Sequence, residues 1–337
     1  MINQTSDFVD ESERNPYVAD YLATNEVLVL APSTVRTYRY LLREYIRYLT
    51  AIETTVLNAE REDVVTFLER CVRRGNREST LRSKFNAVYQ LYRHIKLYMD
   101  EGDELNVDPL ELETIDLGQY RTPAPIEREA LTREELRQLF DAMDSYRNRL
   151  LAITAVETGL RNSDLRKLTL DDIYFDELEI HARDPKNSIP YEVPMSDDLA
   201  FELECWIDGP RTAHTTTTES QYLFPGRYSE KLETNDGLNT IIKSAAERAN
   251  IQRVIGTSEI DSDRVTATKT EHSERRWHRV TPHTLRHTFI TLLKDAGIQL
   301  SYRQLVANHT NPETTCGYTH GKNDVFETIR DRFDPPR

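Results

Sequence analysis

The sequence of 337 residues predicts a mainly α-helical protein with one small β-hairpin, divided into two domains. Apolar residues recur at helical spacing before and after residues 111–128, whereas that stretch has no period and contains two prolines. Two short apolar segments flank a polar turn at 183–188, as in a hairpin. We therefore expect a helical N-terminal domain over 1–110, a linker over 111–128, and a mixed α+β domain over 129–337.

The charge of the chain is unevenly distributed. The formal net charge is -14, and 9 Lys stand against 34 Arg, a composition that resembles the acidic, Lys-poor surfaces of proteins from extreme halophiles. Residues 31–99 nevertheless carry 13 basic and 7 acidic side chains, whereas residues 100–120 carry 8 acidic and no basic ones. The acidic total thus favours solubility, and the local positive segment indicates a polyanionic partner such as nucleic acid.

Composition also indicates the compartment. Cys71, Cys205 and Cys316 are odd in number and far apart, so a disulfide framework is not expected. The first residues lack the basic start and apolar core of a signal peptide, and no apolar run reaches the length of a membrane span. These features predict a cytoplasmic protein that does not contact the membrane.

Three amphipathic helices are predicted in the N-terminal domain, over about 33–49, 63–74 and 79–99. Basic residues recur beside the apolar stripes of the first and third helices. Either these residues form a solvated face, or they lie along phosphate backbones. The candidate DNA-binding side chains are Arg36, Arg39, Arg43, Arg47, Arg82, Lys84, Arg93 and Lys96.

The second domain begins with a capping box at Thr132 to Glu135, followed by an apolar helix over about 146–158 that ends at Gly159. Arg161 should emerge from the tight turn after this helix. Asp164 lies three residues further on, where it can either brace the guanidinium of Arg161 or cap the next helix.

Residues 178–182 and 189–195 predict the two strands of the hairpin, with Lys186 at its tip. A lysine in this position is usually solvated. Further along the chain, residues 252–280 have no strong period, and we expect a polar, partly basic loop.

The stretch from Thr281 to Gly297 has the signals of a complete helix, with Thr281 as the N-cap and proline at the first helical position. His283, Arg286 and His287 should share one face of it, because residues three and four apart are neighbours on a helix. Three explanations remain open: ordinary surface histidines, a metal site, and a phosphate site. The adjacent arginine and the lack of nearby acidic or Cys ligands argue against metal, whereas a guanidinium and imidazoles suit phosphate oxygens.

Towards the C-terminus, Asn308 and His309 end a further helix, and Tyr318 follows a glycine among polar residues. Taken in order, the segments Thr158–Leu165, Lys186, His283–His287, and His309 with Thr314–His320 resemble the motifs of the tyrosine recombinases, the phage integrase and Xer-type family. The resemblance covers about residues 17–330. The chain departs from the family pattern in having Ala-Asn where Leu-Gly usually precedes the last-box histidine, and in a long insertion before Thr281.

The resemblance implies a core-binding domain followed by a catalytic domain that exchanges DNA phosphodiesters without metal or cofactor. Tyr318 would attack the scissile phosphate and leave a 3'-phosphotyrosyl link and a free 5'-hydroxyl. Arg161 and Arg286 would contact the non-bridging oxygens. Lys186 would protonate the leaving oxygen, His283 would accept the tyrosine proton, and His309 would donate to a phosphate oxygen, with Asp164 and His287 in support.

The resemblance also implies two duplex DNA sites as partners and a homotetramer on DNA. Residues 324–332 carry a short apolar stripe that would dock on a neighbouring protomer. Two other functions remain open: relaxation of DNA by a type IB topoisomerase, which uses the same groups on one duplex, and DNA binding without catalysis. The intact set of reactive groups argues against the second, and a metal-dependent nuclease is disfavoured because no carboxylate cluster stands near the histidines.

Overall fold

The computed structural model describes residues 15–28, 30–183, 190–214, 220–259, 274–308 and 322–337. The protein is mainly helical with small antiparallel sheets, as the sequence predicts. It divides into two compact units, one within 1–126 and 258–275 and the other within 127–257 and 276–337. Among the described residues, no helix is both long and apolar enough to cross a membrane.

The N-terminal unit is built from amphipathic helices around one apolar core. Its helices are α1 Pro16–Leu28, α2 Pro32–Ala51, α3 Arg61–Arg73, α4 Glu78–Tyr98 and the short α5 Pro109–Leu112, with 3-10 turns at Asp100–Asp103 and Leu117–Gln119. The hydroxyls of Tyr45 and Tyr92 lie 2.7 Å apart at its centre, so both polar groups are satisfied inside an otherwise apolar core. The three helices predicted within 33–99 are present.

Lys84 corrects the predicted basic face. The sequence places Lys84 among the candidate DNA-binding side chains, yet Lys84 is 5% exposed and its Nζ lies 2.7 Å from a carboxylate oxygen of Glu44. Lys84 stands three residues after Leu81 and four before Val88, which places it on the buried face of α4. The partner that permits this burial comes from α2, which sequence spacing does not show. Lys84 is therefore a structural residue of the core.

The predicted linker, residues 111–128, begins with side chains that belong to the N-terminal core. Leu112, Ile115 and Leu117 are all buried there. The acidic stretch that precedes them forms short turns around this packing. Loss of a helical period does not therefore mean loss of packing, because short turns also bury apolar side chains.

The C-terminal unit alternates helices with short strands. Its helices are α6 Arg133–Asp141, α7 Tyr146–Thr158, α8 Asn162–Leu165, α9 Asp197–Asp208, α10 Pro210–His214, α11 Asn235–Arg248, α12 Pro282–Asp295, α13 Leu300–Val306 and α14 Lys322–Arg332, with a 3-10 turn at Leu170–Asp172. Its strands are β1 Ile173–Tyr174, β2 Glu179–Ala182 and β3 Tyr191–Pro194, and two further strands, β4 Val254–Glu259 and β5 Glu274–His278, belong to this unit over part of their length. The capping box at Thr132 is present, with its hydroxyl accepting from the Glu135 amide.

The predicted hairpin is present. Strands β2 and β3 pair antiparallel, with Ile180 opposite Val193, and β1 adds to the free edge of β2. The expected loop over 252–280 is wrong in part, because β4 and β5 pair with each other inside it. Their sequences are polar at most positions, so the period-2 alternation that reveals a half-buried strand is absent.

Helix α12 packs against α7 at a point where α7 ends. Gly159 terminates α7 in the left-handed conformation, with φ of +63°. A Cβ atom built on Gly159 would lie 2.1 Å from Cδ1 of Phe289, a residue of α12. Glycine is thus required here both for the backbone conformation and for the close approach of the two helices.

The C-terminal helix α14 packs in the core of the C-terminal unit. The apolar stripe expected to dock on a neighbour is buried in this unit's core, through Val325, Phe326 and Ile329. At the start of the helix, Nζ of Lys322 lies 2.8 Å from Glu179 and 2.6 Å from Glu192, one on each strand of the hairpin. Docking on a neighbour would therefore require α14 to leave these contacts, which the apolar pattern alone did not indicate.

We expect Gly159→Ala to lower the free energy of unfolding by about 3 kcal/mol, since it combines left-handed strain with overpacking against Phe289. Gly297→Ala is the matched control in the same unit, because Gly297 has φ of +74° but no atom within 4 Å of an added Cβ. That control should lose about 1 kcal/mol. Urea unfolding measures both losses, and equal losses would contradict the importance of the contact with Phe289.

Candidate active site

Arg161 directly follows the turn at Gly159 and Leu160 and stands at the N-cap position of the short helix α8, without a capping hydrogen bond from its side chain. Its Nη2 donates to the main-chain oxygen of Asn308 at 2.6 Å, and its Nη1 lies 3.8 Å from Oδ2 of Asp164. Nη1 is shielded from solvent but makes no hydrogen bond with any described residue. The guanidinium is therefore fixed on one side and retains a donor on the other.

Arg286 is buried on α12, with 7% of its surface exposed. Its guanidinium donates to the main-chain oxygen of Gly159 at 2.5 Å and to that of Ala307. The pKa of Arg286 is lowered by burial first and then by the positive charge of Arg161. The positive charge of Arg161 thus lies close enough to disfavour that of Arg286, and a bound anion would offset this repulsion.

Asp164 is buried beside these two cations, and its carboxylate is held from several sides. The Tyr191 hydroxyl donates to Oδ2 at 2.9 Å, and the Ser163 hydroxyl donates to Oδ1 at 2.9 Å. The pKa of Tyr191 is raised by burial and by the charge of Asp164, so the phenol remains a neutral donor. Asp164 therefore lies within ion-pair distance of Arg161 without a hydrogen bond to it among the described residues, and Tyr191 holds the carboxylate in place.

Helix α12 presents the predicted basic patch at its N-terminal end. Thr281 accepts a hydrogen bond from the Thr284 amide and caps the helix. His283 therefore lies in the first turn of the helix. His283 remains accessible to solvent, and the pKa of its imidazole is lowered by partial desolvation and then by the charges of Arg128, Arg286 and His287. These effects favour the uncharged imidazole, the form that can accept a proton.

Sequence reasoning missed Arg128 and Tyr191. Arg128 is half-buried, and its Nη1 lies 3.5 Å from the Thr281 hydroxyl. The positive charge of Arg128 therefore acts on His283. It stands in the aperiodic stretch before the capping box, where no local pattern marks it. Tyr191 lies in the second predicted strand of the hairpin, and no local pattern indicates its contact with Asp164, 27 residues away.

Three of the predicted catalytic residues lie outside the described residues. These are Lys186, His309 and Tyr318. Arg161, Asp164, His283, Arg286 and His287 are described, and the contacts and charges given above bring them together at one site. The site therefore has cationic groups, a neutral imidazole and a braced carboxylate, a combination suited to holding a phosphate and moving a proton.

The remaining predicted side chains belong to the N-terminal unit. Arg36, Arg82 and Arg93 are exposed, whereas Arg39, Arg43 and Arg47 are partly buried. Lys96 donates to the Gly102 carbonyl oxygen and pairs with Asp103. The exposed subset is thus smaller than the predicted basic set, because the basic stripe of α2 borders the core.

Comparison with known proteins gives consistent matches along the chain. Residues 129–324 match the Phage integrase family, and residues 19–97 match its N-terminal SAM-like domain. The chain is 26% identical over 313 residues to tyrosine recombinase XerA of Thermococcus kodakarensis, with 91% of this chain and 92% of that protein covered. It is 23% identical over 314 residues to tyrosine recombinase XerD of Staphylococcus haemolyticus, covering 91% and 94%.

Solved structures share the fold. The integrase of transposon Tn1549, in complex with circular intermediate DNA, matches with a TM-score of 0.62 at 16% identity and covers 93% of this chain and 97% of that chain. The recombinase XerH, bound to its difH substrate before cleavage, matches with a TM-score of 0.60 at 19% identity, covering 96% and 85%. At these identities the likeness shows the architecture, and the chemistry has to be argued from the residues.

We expect Arg128→Gln to raise the pKa of His283, because the substitution removes a positive charge that disfavours the imidazolium. Nuclear magnetic resonance titration of the His283 ring in the DNA-free protein measures the shift. Arg137→Gln is the control, since Arg137 is not among the groups that act on His283. An unchanged or lowered pKa in Arg128→Gln would contradict this electrostatic account.

Proposed function

The chain belongs to the phage integrase family, and on that premise we propose that it is a site-specific DNA recombinase that cuts and rejoins strands through a 3'-phosphotyrosyl intermediate. The observation that carries this proposal is the pair Arg161 and Arg286, held together by main-chain carbonyl oxygens. Carbonyl groups orient a guanidinium without cancelling its charge. The pair is therefore preorganised for the two non-bridging oxygens of a phosphodiester, on which negative charge grows during attack.

The proposed reaction exchanges one phosphodiester for another. The Tyr318 oxygen forms a bond to the scissile phosphorus, and the bond to the 5'-oxygen breaks. Lys186 gives a proton to the leaving 5'-oxygen, while His309 donates to a phosphate oxygen. Rejoining reverses these steps with the 5'-hydroxyl of a partner strand. Because the energy of the broken linkage is kept in the phosphotyrosine, the proposal needs neither nucleotide nor metal.

His283 is proposed to accept the proton of Tyr318. Its lowered pKa supports this role, because an imidazole that is uncharged near neutral pH is available as a base. A bound phosphate brings negative charge close to the same ring and offsets the repulsion from Arg128 and Arg286. The imidazolium formed by proton transfer is then stabilised by the substrate itself.

The proposed partners are two duplex DNA sites held by a homotetramer. In such an assembly α14 would exchange onto a neighbouring protomer. That step breaks the ion pairs of Lys322 with Glu179 and Glu192 and exposes the apolar face that α14 now buries. Exchange is therefore favourable only where a neighbour offers an equivalent acceptor surface, and DNA that aligns the protomers would supply that condition.

We expect Tyr318→Phe to abolish covalent attachment while DNA affinity stays nearly unchanged, because the variant lacks only the nucleophilic oxygen. A nicked suicide substrate that traps the cleaved strand, followed by denaturing electrophoresis, measures the covalent complex. Tyr302→Phe is the control, as Tyr302 is a buried residue of α13. A covalent band from Tyr318→Phe would contradict the assignment, and strand exchange measured against supercoil relaxation separates a recombinase from a topoisomerase.

We expect Arg161→Ala to slow single-turnover cleavage at least about 100-fold, or about 3 kcal/mol of transition-state stabilisation. Arg286→Lys should also be slow, because a lysine cannot make the paired contacts to Gly159 and Ala307. Thermal unfolding is recorded beside the rates, since Arg286 also supports the fold. Cleavage by folded Arg161→Ala at nearly the unaltered rate would remove this residue from the phosphate site.

We expect replacement of Arg36, Arg82 and Arg93 by Gln to weaken binding to all DNA sequences alike. The plot of log affinity against log salt should flatten by up to about 0.9 for each phosphate that the protein no longer neutralises. Lys84→Gln is the matched control, since it should lower stability by leaving Glu44 without its closest partner but should not change the slope. An unchanged slope in the triple variant would show that these arginines are solvated surface.

A further inference from the structure

Asn308 ends helix α13 in an unusual conformation. Its φ is +44°, in the left-handed region, where a side chain is normally disfavoured and glycine is preferred. Asparagine is among the few other residues that tolerate this region. Asn250 does the same after α11, with φ of +57°, but its side chain is exposed. The chain therefore offers an internal comparison between two left-handed asparagines at helix ends.

The main chain at 307–308 holds both arginines of the proposed site. Ala307 accepts from Arg286, and Asn308 accepts from Arg161 at 2.6 Å. Because the Arg161 guanidinium contacts the main chain of Asn308 itself, the side chain of Asn308 starts next to that guanidinium. A glycine would give the same backbone turn and the same carbonyl contacts, so those two functions leave the amide side chain of Asn308 unexplained.

Two donors at this point are shielded from solvent and unsatisfied within the described part of the chain. They are Nδ2 of Asn308 and Nη1 of Arg161. A shielded donor without an acceptor is costly, so each such group requires an explanation, and a ligand that supplies the acceptor is one. Both groups donate, and one is cationic, so the completing group is an acceptor with negative charge. A phosphodiester oxygen has this chemistry.

We propose that Nδ2 of Asn308 donates a hydrogen bond to the same non-bridging phosphate oxygen that Arg161 contacts. This inference rests on the proposed function, since it takes Arg161 as a phosphate ligand. The amide adds a second donor at this oxygen without adding a third positive charge beside Arg161 and Arg286. The site thus stabilises charge on the phosphate while the mutual repulsion of its cations stays the same.

The test compares Asn308→Gly with Asn250→Gly. Glycine keeps the left-handed turn in both, so neither variant should lose thermal stability. Single-turnover cleavage of a suicide substrate should slow by about 10- to 100-fold in Asn308→Gly, as expected for loss of one hydrogen bond to a charged oxygen. The rate of Asn250→Gly should equal that of the unaltered protein. An unaltered rate in Asn308→Gly would overturn the inference.

A substrate with a methylphosphonate at the scissile position identifies the oxygen, since each diastereomer replaces one non-bridging oxygen with a methyl group. On one diastereomer, Arg161→Ala should slow cleavage less than on the other. In that diastereomer the methyl group replaces the oxygen that Arg161 contacts. On that same diastereomer, Asn308→Gly should cleave at the rate of the unaltered protein and bind with the same DNA affinity. On the other diastereomer, the losses of rate and affinity in Asn308→Gly should remain. Equal penalties on both would show a structural role and overturn the inference. Absence of covalent product from the unaltered protein on phosphate DNA would instead refute the proposed function.

Discussion

The site depends on the contact between the end of α7 and the middle of α12. Gly159 makes this contact possible in three ways: it ends α7 in the left-handed conformation, it leaves room for Phe289, and its carbonyl oxygen accepts from Arg286. Any side chain at this position separates the helices. Because Arg161 follows the same turn two residues later, the spacing between the two arginines is set by the packing of two helices and not by a flexible loop.

Neutral acceptors hold the guanidiniums, and this explains why the site keeps its positive charge. Carbonyl oxygens of Gly159, Ala307 and Asn308 orient both cations while leaving their charges uncancelled. The one carboxylate nearby among the described residues, Asp164, remains 3.8 Å from Arg161 and is itself engaged by Tyr191. A direct bidentate pair would have neutralised Arg161 and filled the donors that a phosphate requires.

Local signals predicted the elements of the fold better than the contacts between them. The end of α7 at Gly159, the capping of α12 at Thr281 and the hairpin of β2 and β3 were all marked by residues within a few positions of each other. Lys84 was misplaced because its partner, Glu44, lies on another helix. The strands β4 and β5 were missed because both are polar, so their pairing leaves no alternation in the sequence.

The site shows the same division between local and distant information. Arg161, His283 and Arg286 could be proposed from local motifs, since each stands beside a helix cap or shares a helical face. Arg128 and Tyr191 act on these residues from distant parts of the chain, through the charge of one and the hydroxyl of the other, and no spacing rule links them. The first group supplies the reactive side chains, and the second sets their charge and orientation. Sequence motifs therefore identify which chemistry is possible, whereas the packing of distant segments determines whether a histidine is uncharged or an arginine keeps a donor for the substrate.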